Sequence, residues 1–228
     1  MKPFWPLVFL WLPALSAAAQ SVPAPALKHE LDSLLVVDQH YRELSMQASE
    51  PGGAKSVAAT LGIAAPQVPG YLTNKMLQVD SANIRRIAQL MRQHGYPGKS
   101  LVGTPDNEAA FYVIQHSNRI PQYLPLVKQA AQRGELPFRL YAMILDRQLM
   151  NEGKEQVYGS QGYGFAVPDP ATGTADFRRL IWPIKDPAGV NRRRQLAGFE
   201  STVEENAKRL GIPYQPLTLA DVKKMRKP

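Results

Sequence analysis

The sequence of 228 residues contains no cysteine. That absence excludes disulfides, thiolate-bound zinc, a cysteine nucleophile and a lipid anchor on an N-terminal cysteine. There is no apolar run of roughly 20 residues, the length a membrane-crossing helix needs. The phosphate-cradling GxxxxGK loop, a GxGxxG turn leading into a helix and the zinc-binding HExxH pattern are all missing. Aromatic residues make up 8% of the chain, leaving few platforms for a sugar ring. Acidic residues are in deficit, 19 against 27 lysines and arginines, for a net charge of +8.

What the N-terminus does contain is the pattern of an export signal. Lys2 is followed by the apolar stretch Phe4 to Leu15 and then by Ala17-Ala18-Ala19. That stretch is too short to span a bilayer, and Pro3, Pro6 and Pro13 make a buried helix unfavourable. Residues 1–19 therefore read as a signal peptide, with cleavage after Ala19 and Ser16 or Ala18 as alternatives. The expected product is a soluble protein, periplasmic or extracellular. Lys2 leaves with the signal, so 26 basic residues face 19 acidic ones, a net +7. A basic chain suggests nucleic acid or an anionic surface. Export counts against nucleic acid, so the expected partner is a small polar ligand or an envelope component. Without disulfides, stability must come from a packed core, and the remaining length suffices for one domain.

The periodicity predicts a single, mainly helical (α+β) domain over 28–212, with a flexible lead-in at 20–27 and a basic tail at 213–228. A first helix is expected from Lys28 to about Ala48, because Leu31, Leu34, Leu35, Asp38, Arg42 and Ser45 fall on one stripe. Glu50 to Gly70, with Pro51-Gly52-Gly53, Pro66 and Pro69, reads as a loop. A second helix should start at Asp80 or Ser81 and stop at Gly95. A third should open at Thr104-Pro105 and run to about Ser117. A fourth follows Ile120-Pro121 and stops at Gly134, and a fifth runs from near Pro137 to before Gly153. The glycine spacing from Gln156 to Gly164 rules out a helix. A hairpin between about 156–166 and 177–184, turning through Asp169 to Gly173, is expected instead. Helices at about 187–196, 199–210 and from Leu219 complete the chain.

Several polar residues fall where these helices should be apolar. Asp38 and Arg42 share the inner stripe of the first helix. His116 follows Ala109 and Val113 at helical spacing, and Asp146 and Arg147 follow Ala142 and Ile144 in the same way. Such groups are costly inside a protein unless paired or placed in a pocket. Imidazole moves protons near neutral pH, which makes His116 the main acid–base candidate, with Asp146 beside it. A metal site from His116, Asp38 and Asp146 has the right ligand count but no supporting motif, so no metal and no cofactor is expected. Ser160 as a nucleophile lacks the Gly-x-Ser-x-Gly elbow, because Tyr158 replaces its first glycine. Asp38 and Asp146 as a glycosidase pair have only their two carboxylates in favour. The Arg192-Arg193-Arg194 run reads as a solvated face with one arginine turned inward.

The motifs Asp38-Gln39 with Arg42, Gly95-Tyr96-Pro97 with Val102-Gly103, Gln115-His116, Asp146-Arg147 and Gln156 to Gln161 occur in an order and spacing that resemble the bacterial DUF6624 family. Asn191 to Leu196 resembles its tail motif, and the resemblance covers about residues 30–212. The family loop motif Tyr-Gly-Thr-Gln stands here as Tyr158-Gly159-Ser160-Gln161, which keeps a hydroxyl. This resemblance implies kinship of fold and marks recurring residues, but implies no reaction. The reading that follows is a polar ligand pocket around His116, Asp146 and the Gln156–Gln161 loop, with Asp38, Gln39, Arg42, Gln115, Arg147, Tyr158 and Ser160 as further binding groups. A hydrolase-type enzyme using His116 as acid or base is the first alternative. An envelope protein in which these residues form a buried structural network is the second.

Overall fold

A computed structural model describes residues 24–168, 171 and 173–226. The proposed signal peptide lies outside the described residues, as do Asp169, Pro170 and Thr172 of the expected hairpin turn. The described chain is mainly helical, with ten α-helices and one two-stranded antiparallel sheet in its C-terminal half. None of the described helices is long and apolar enough to cross a membrane.

Helix α1 (Ala24–Ser49) begins inside the stretch expected to be a flexible lead-in. Pro25 falls in its first turn, where proline costs no hydrogen bond. Leu27 and Leu31 are fully buried, and burial of those side chains holds the first turns down. The expected loop from Glu50 to Gly70 is also helical. Gly52, at φ 76°, makes a corner into α2 (Gly53–Leu61). A 3-10 turn (Ala65–Gln67) then leads into α3 (Val68–His94). Its prolines are helix-start residues: Pro66 lies in the 3-10 turn and Pro69 in the first turn of α3. Val57, Ala58, Val68 and Leu72 supply a small core, packed under Tyr41 and Leu44 of α1.

The short α4 (Lys99–Val102) was not foreseen. The expected helix at Thr104-Pro105 starts later. That peptide is cis, and a 3-10 turn (Asp106–Glu108) precedes α5 (Ala109–Gln115). Helices α6 (Ile120–Gln132) and α7 (Phe138–Asn151) form a hairpin across Gly134, as the spacing predicts. Helices α1, α3, α5, α6 and α7 enclose the main core around Leu31, Ile87, Phe111, Ile114, Val127 and Ile144.

Strands β1 (Gly162–Pro168) and β2 (Ala175–Ile181) pair with Gly162 opposite Ile181. The hairpin is therefore shorter than expected: Gln156 makes only an isolated bridge to Ile184. After a 3-10 turn (Pro187–Gly189), α8 (Val190–Leu196) and α9 (Val203–Arg209) close a second core with Ile181, Ile184, Val203 and Ala207. Thr202 and Glu205 form a reciprocal cap that sets where α9 starts. The helix expected from Leu219 is present in the basic tail: α10 (Leu219–Met225) seats Val222 against Leu180 and Trp182.

Candidate functional site

The polar residues singled out in the sequence divide between two places. Asp38, Gln39, Arg42 and His116 come together where α1 crosses the end of α5. Asp146 sits elsewhere, under the loop from Val157 to Ser160.

At the first place, Asp38 is 1% exposed on the inner stripe of α1. It accepts from Gln39 Nε2 at 2.6 Å, and one of its oxygens lies 3.0 Å from His116 Nδ1. His116 is the residue at which α5 ends, and its side chain is 18% exposed. The Arg42 Nε lies 3.0 Å from His116 Nδ1 and 3.3 Å from its Nε2. A donor in the ring plane cannot approach both nitrogens without colliding with the carbon between them, so Arg42 lies against the ring face. The in-plane partner of Nδ1 is Asp38. A carboxylate accepting from Nδ1–H fixes the tautomer that leaves the Nε2 lone pair free.

Arg42 also donates from Nη2 to Asp80 at 2.6 Å, joining α1 to α3. Asp80 was expected to cap a helix. It lies mid-helix in α3, one and two turns before Ile84 and Ile87. A polar residue on that apolar stripe was a detectable signal, hidden by placing the helix start there. His116 and Asp80 line an open cleft of about 220 Å³ with Leu77, Ser81, Ser117 and Asn118. The latter four were also missed, being ordinary surface residues by pattern.

Asp38, Asp80 and His116 present donor atoms within 4.8 Å of one another, a set able to hold a divalent cation. Arg42 already supplies a positive charge to both carboxylates, at 3.8 Å from Asp38 and 2.6 Å from Asp80. The donor set as it stands is an ion-pair cluster.

At the second place, Asp146 is fully buried on α7. Its Oδ1 accepts from the backbone N–H of Val157 (2.8 Å) and Tyr158 (3.0 Å). Its Oδ2 accepts from the N–H and hydroxyl of Ser160 (3.0 and 2.9 Å). Burial pushes the Asp146 carboxyl above the usual aspartate range, and these N–H and hydroxyl donors hold it back. Gln156, also fully buried, continues the same work. Its Nε2 donates to the carbonyls of Gln161 and Trp182, and its Oε1 accepts from Gln161 N–H. Arg194, the inward arginine of the triplet, holds the Tyr158 carbonyl from the other side. Gln115 is buried on α5.

Arg147, next to Asp146, faces a different cleft. Burial lowers its pKa first and the nearby Arg42 charge second. With Ser160, Gln161 and Tyr163 it lines a cavity of about 270 Å³, where Arg179 and Arg209 join it. Neither Arg179 nor Arg209 stood out in the sequence, since each follows another basic residue, Arg178 or Lys208, in what reads as ordinary surface.

No curated protein and no solved structure matches the chain. A family model described as a family of unknown function matches residues 60–215. Asp80, His116, Asp146 and the Gln156–Gln161 loop lie within it, whereas Asp38, Gln39 and Arg42 precede it. Because the match spans more than half of the chain, the protein belongs to the DUF6624 family.

Proposed function

We propose that His116 is the acid–base centre of an active site in an exported protein acting on a small polar ligand, with a hydrolase-type reaction as the chemistry that fits best. The observation that carries this reading is the pairing of His116 Nδ1 with the buried Asp38 carboxylate, on a ring that borders an open cleft. In that arrangement Nε2 takes a proton from a water or hydroxyl in the cleft, and Asp38 stabilises the imidazolium that forms. Asp80, Ser81 and Asn118 offer hydrogen-bonding groups to hold the ligand. Asp146 is not the partner of His116 in this scheme, because its four donors from the loop occupy both carboxylate oxygens.

A structural network is the second reading, favoured by one observation: Arg42 ties α1 to α3 while lying on the His116 ring. The two readings separate on His116→Gln. As an active-site group His116 can be replaced with little loss of stability, about 1 kcal/mol or less, because Asp38 keeps Gln39 and Arg42. Nitrogen-15 NMR of the wild type should show Nδ1 protonated and Nε2 bare. An Nε2–H tautomer, or unfolding of His116→Gln, overturns the proposal. Export is checked by the mature N-terminus, which should be Gln20.

A further inference from the structure

We propose that the cleft between α7, the 160–164 segment, β2 and the end of α9 binds the phosphoryl group of a small phosphorylated molecule. This inference stands apart from the reading of His116, since the two clefts share no lining residue.

Three guanidinium groups reach this cleft from three elements: Arg147 from α7, Arg179 from β2 and Arg209 from the end of α9. No acidic residue lines it among the described residues. Nine ion pairs join arginines, lysines or histidine to carboxylates elsewhere in the described chain, yet none involves these three. Arginines lining a cleft without a carboxylate give it a positive potential that favours an anion.

Arg147 is the least comfortable of the three. Its Nε is buried and has no hydrogen-bond partner among the described residues. Burial and the Arg42 charge both lower its pKa, so the folded protein holds this cation at a cost. An unpartnered buried donor of this kind is costly unless a ligand supplies the acceptor.

The rest of the wall is polar and close to the backbone. Gln161 is 5% exposed, and its amide donates to Ser160 Oγ and the Met143 carbonyl, which fixes its orientation at the cleft. Gly162 and Gly164 also line the cleft, where Ile212 and Leu210 pack closely on Gly162 and Phe177 on Gly164. Tyr163 stands at the rim with the Arg226 guanidinium 4.8 Å from its ring centroid, adding a fourth positive charge nearby.

The charge count selects the ligand. A carboxylate brings one charge, whereas a phosphomonoester brings about −1.5 to −2 and three acceptor oxygens, a better match to three arginines. The cavity, about 270 Å³, has room for more than the phosphoryl group itself, which points to a small organic phosphate.

The test is calorimetric titration and thermal melting of the full chain with inorganic phosphate, phenyl phosphate and succinate, each against sodium chloride of equal ionic strength. Phosphate and phenyl phosphate should bind saturably and raise the melting temperature, phenyl phosphate more tightly. Arg179→Gln should weaken binding at least about tenfold while leaving the unliganded melting temperature unchanged, because Arg179 is an exposed side chain. Arg147→Gln should weaken it as much. Arg85→Gln, an exposed arginine on α3 outside the cleft, should leave it unchanged. The proposal is overturned if phosphate does no more than chloride, if succinate binds as tightly as phenyl phosphate, or if Arg85→Gln costs as much as Arg179→Gln.

Discussion

Arg42 carries more of the local architecture than the histidine beside it. It is the cation for two carboxylates, and Asp38 is buried. Removing it as Arg42→Met leaves Asp38 with the Gln39 amide and the His116 ring, and leaves Asp80 without its partner. Loss of one partner from a buried charge pair costs about 3–5 kcal/mol. Asp80 is partly exposed and takes up water, so about 2–4 kcal/mol is expected here. His116→Gln leaves the guanidinium with both carboxylates and should cost far less. Urea unfolding of both variants gives the order, and equal losses would contradict the distinction drawn between an architectural arginine and a working histidine. Asp38, Arg42 and His116 were legible in the sequence as polar residues on apolar stripes. Which carboxylate His116 would meet was not legible, since helical spacing says that a side chain points inward but not which helix it meets there. The fate of Asp146 was hidden for a related reason. Its partners are backbone N–H groups, which every residue carries and no sequence pattern displays.

At the scale of elements, the segment from Glu50 to Gly70 departs most from its sequence pattern. Proline and glycine ordinarily break helices, but here they mark joints between them. The two ends of α2 test this. A Cβ on Gly53 would run into the Gln47 carbonyl oxygen, a backbone atom that cannot give way without moving α1. Gly62, at φ 66°, has nothing within 4 Å of the same position. Gly62→Ala should therefore cost only the left-handed backbone penalty, about 1 kcal/mol. Gly53→Ala should cost more, about 2–4 kcal/mol, because it combines overpacking with displacement of a helix end. Denaturant midpoints of the two variants decide the matter, and a Gly53→Ala protein as stable as Gly62→Ala would mean that the α1–α2 corner is not tightly set. By contrast, α6 and α7 were legible almost to the residue. Both are long and have clear stops, whereas α2 is short, nine residues between Gly52 and Gly62, so its apolar pattern has little length in which to show.

At the scale of the molecule, the helical core and the C-terminal core are separate apolar clusters, and Asp146 is their joint. It stands on α7 and ties down the loop that leads into β1, while Arg194 and Asn206 hold the same loop from α8 and α9. Asp146→Asn keeps the shape but replaces one acceptor oxygen with an NH₂ group, which leaves at least one backbone N–H, that of Val157 or Ser160, facing a donor. Each buried unsatisfied group costs about 1–3 kcal/mol, so a loss of that size is expected. The loss should not be uniform. Amide protons of β1, β2 and α9 should exchange much faster, while those of α5 and α7 keep most of their protection. The pH dependence has a definite sign. Burial raises the Asp146 pKa, so within the window between the ordinary aspartate value and the raised one the folded state binds more protons than the unfolded state. Stability of the wild type then falls as pH rises through that window and is flat above it. Asp146→Asn lacks the group, so the stability gap between wild type and variant should be widest at the acid end and narrow as pH rises. Urea titrations of both proteins across the acid range measure this directly. A gap that widens with pH would show that the loop donors outweigh burial and hold Asp146 ionised, and uniform loss of amide protection would show that the two cores already act as one.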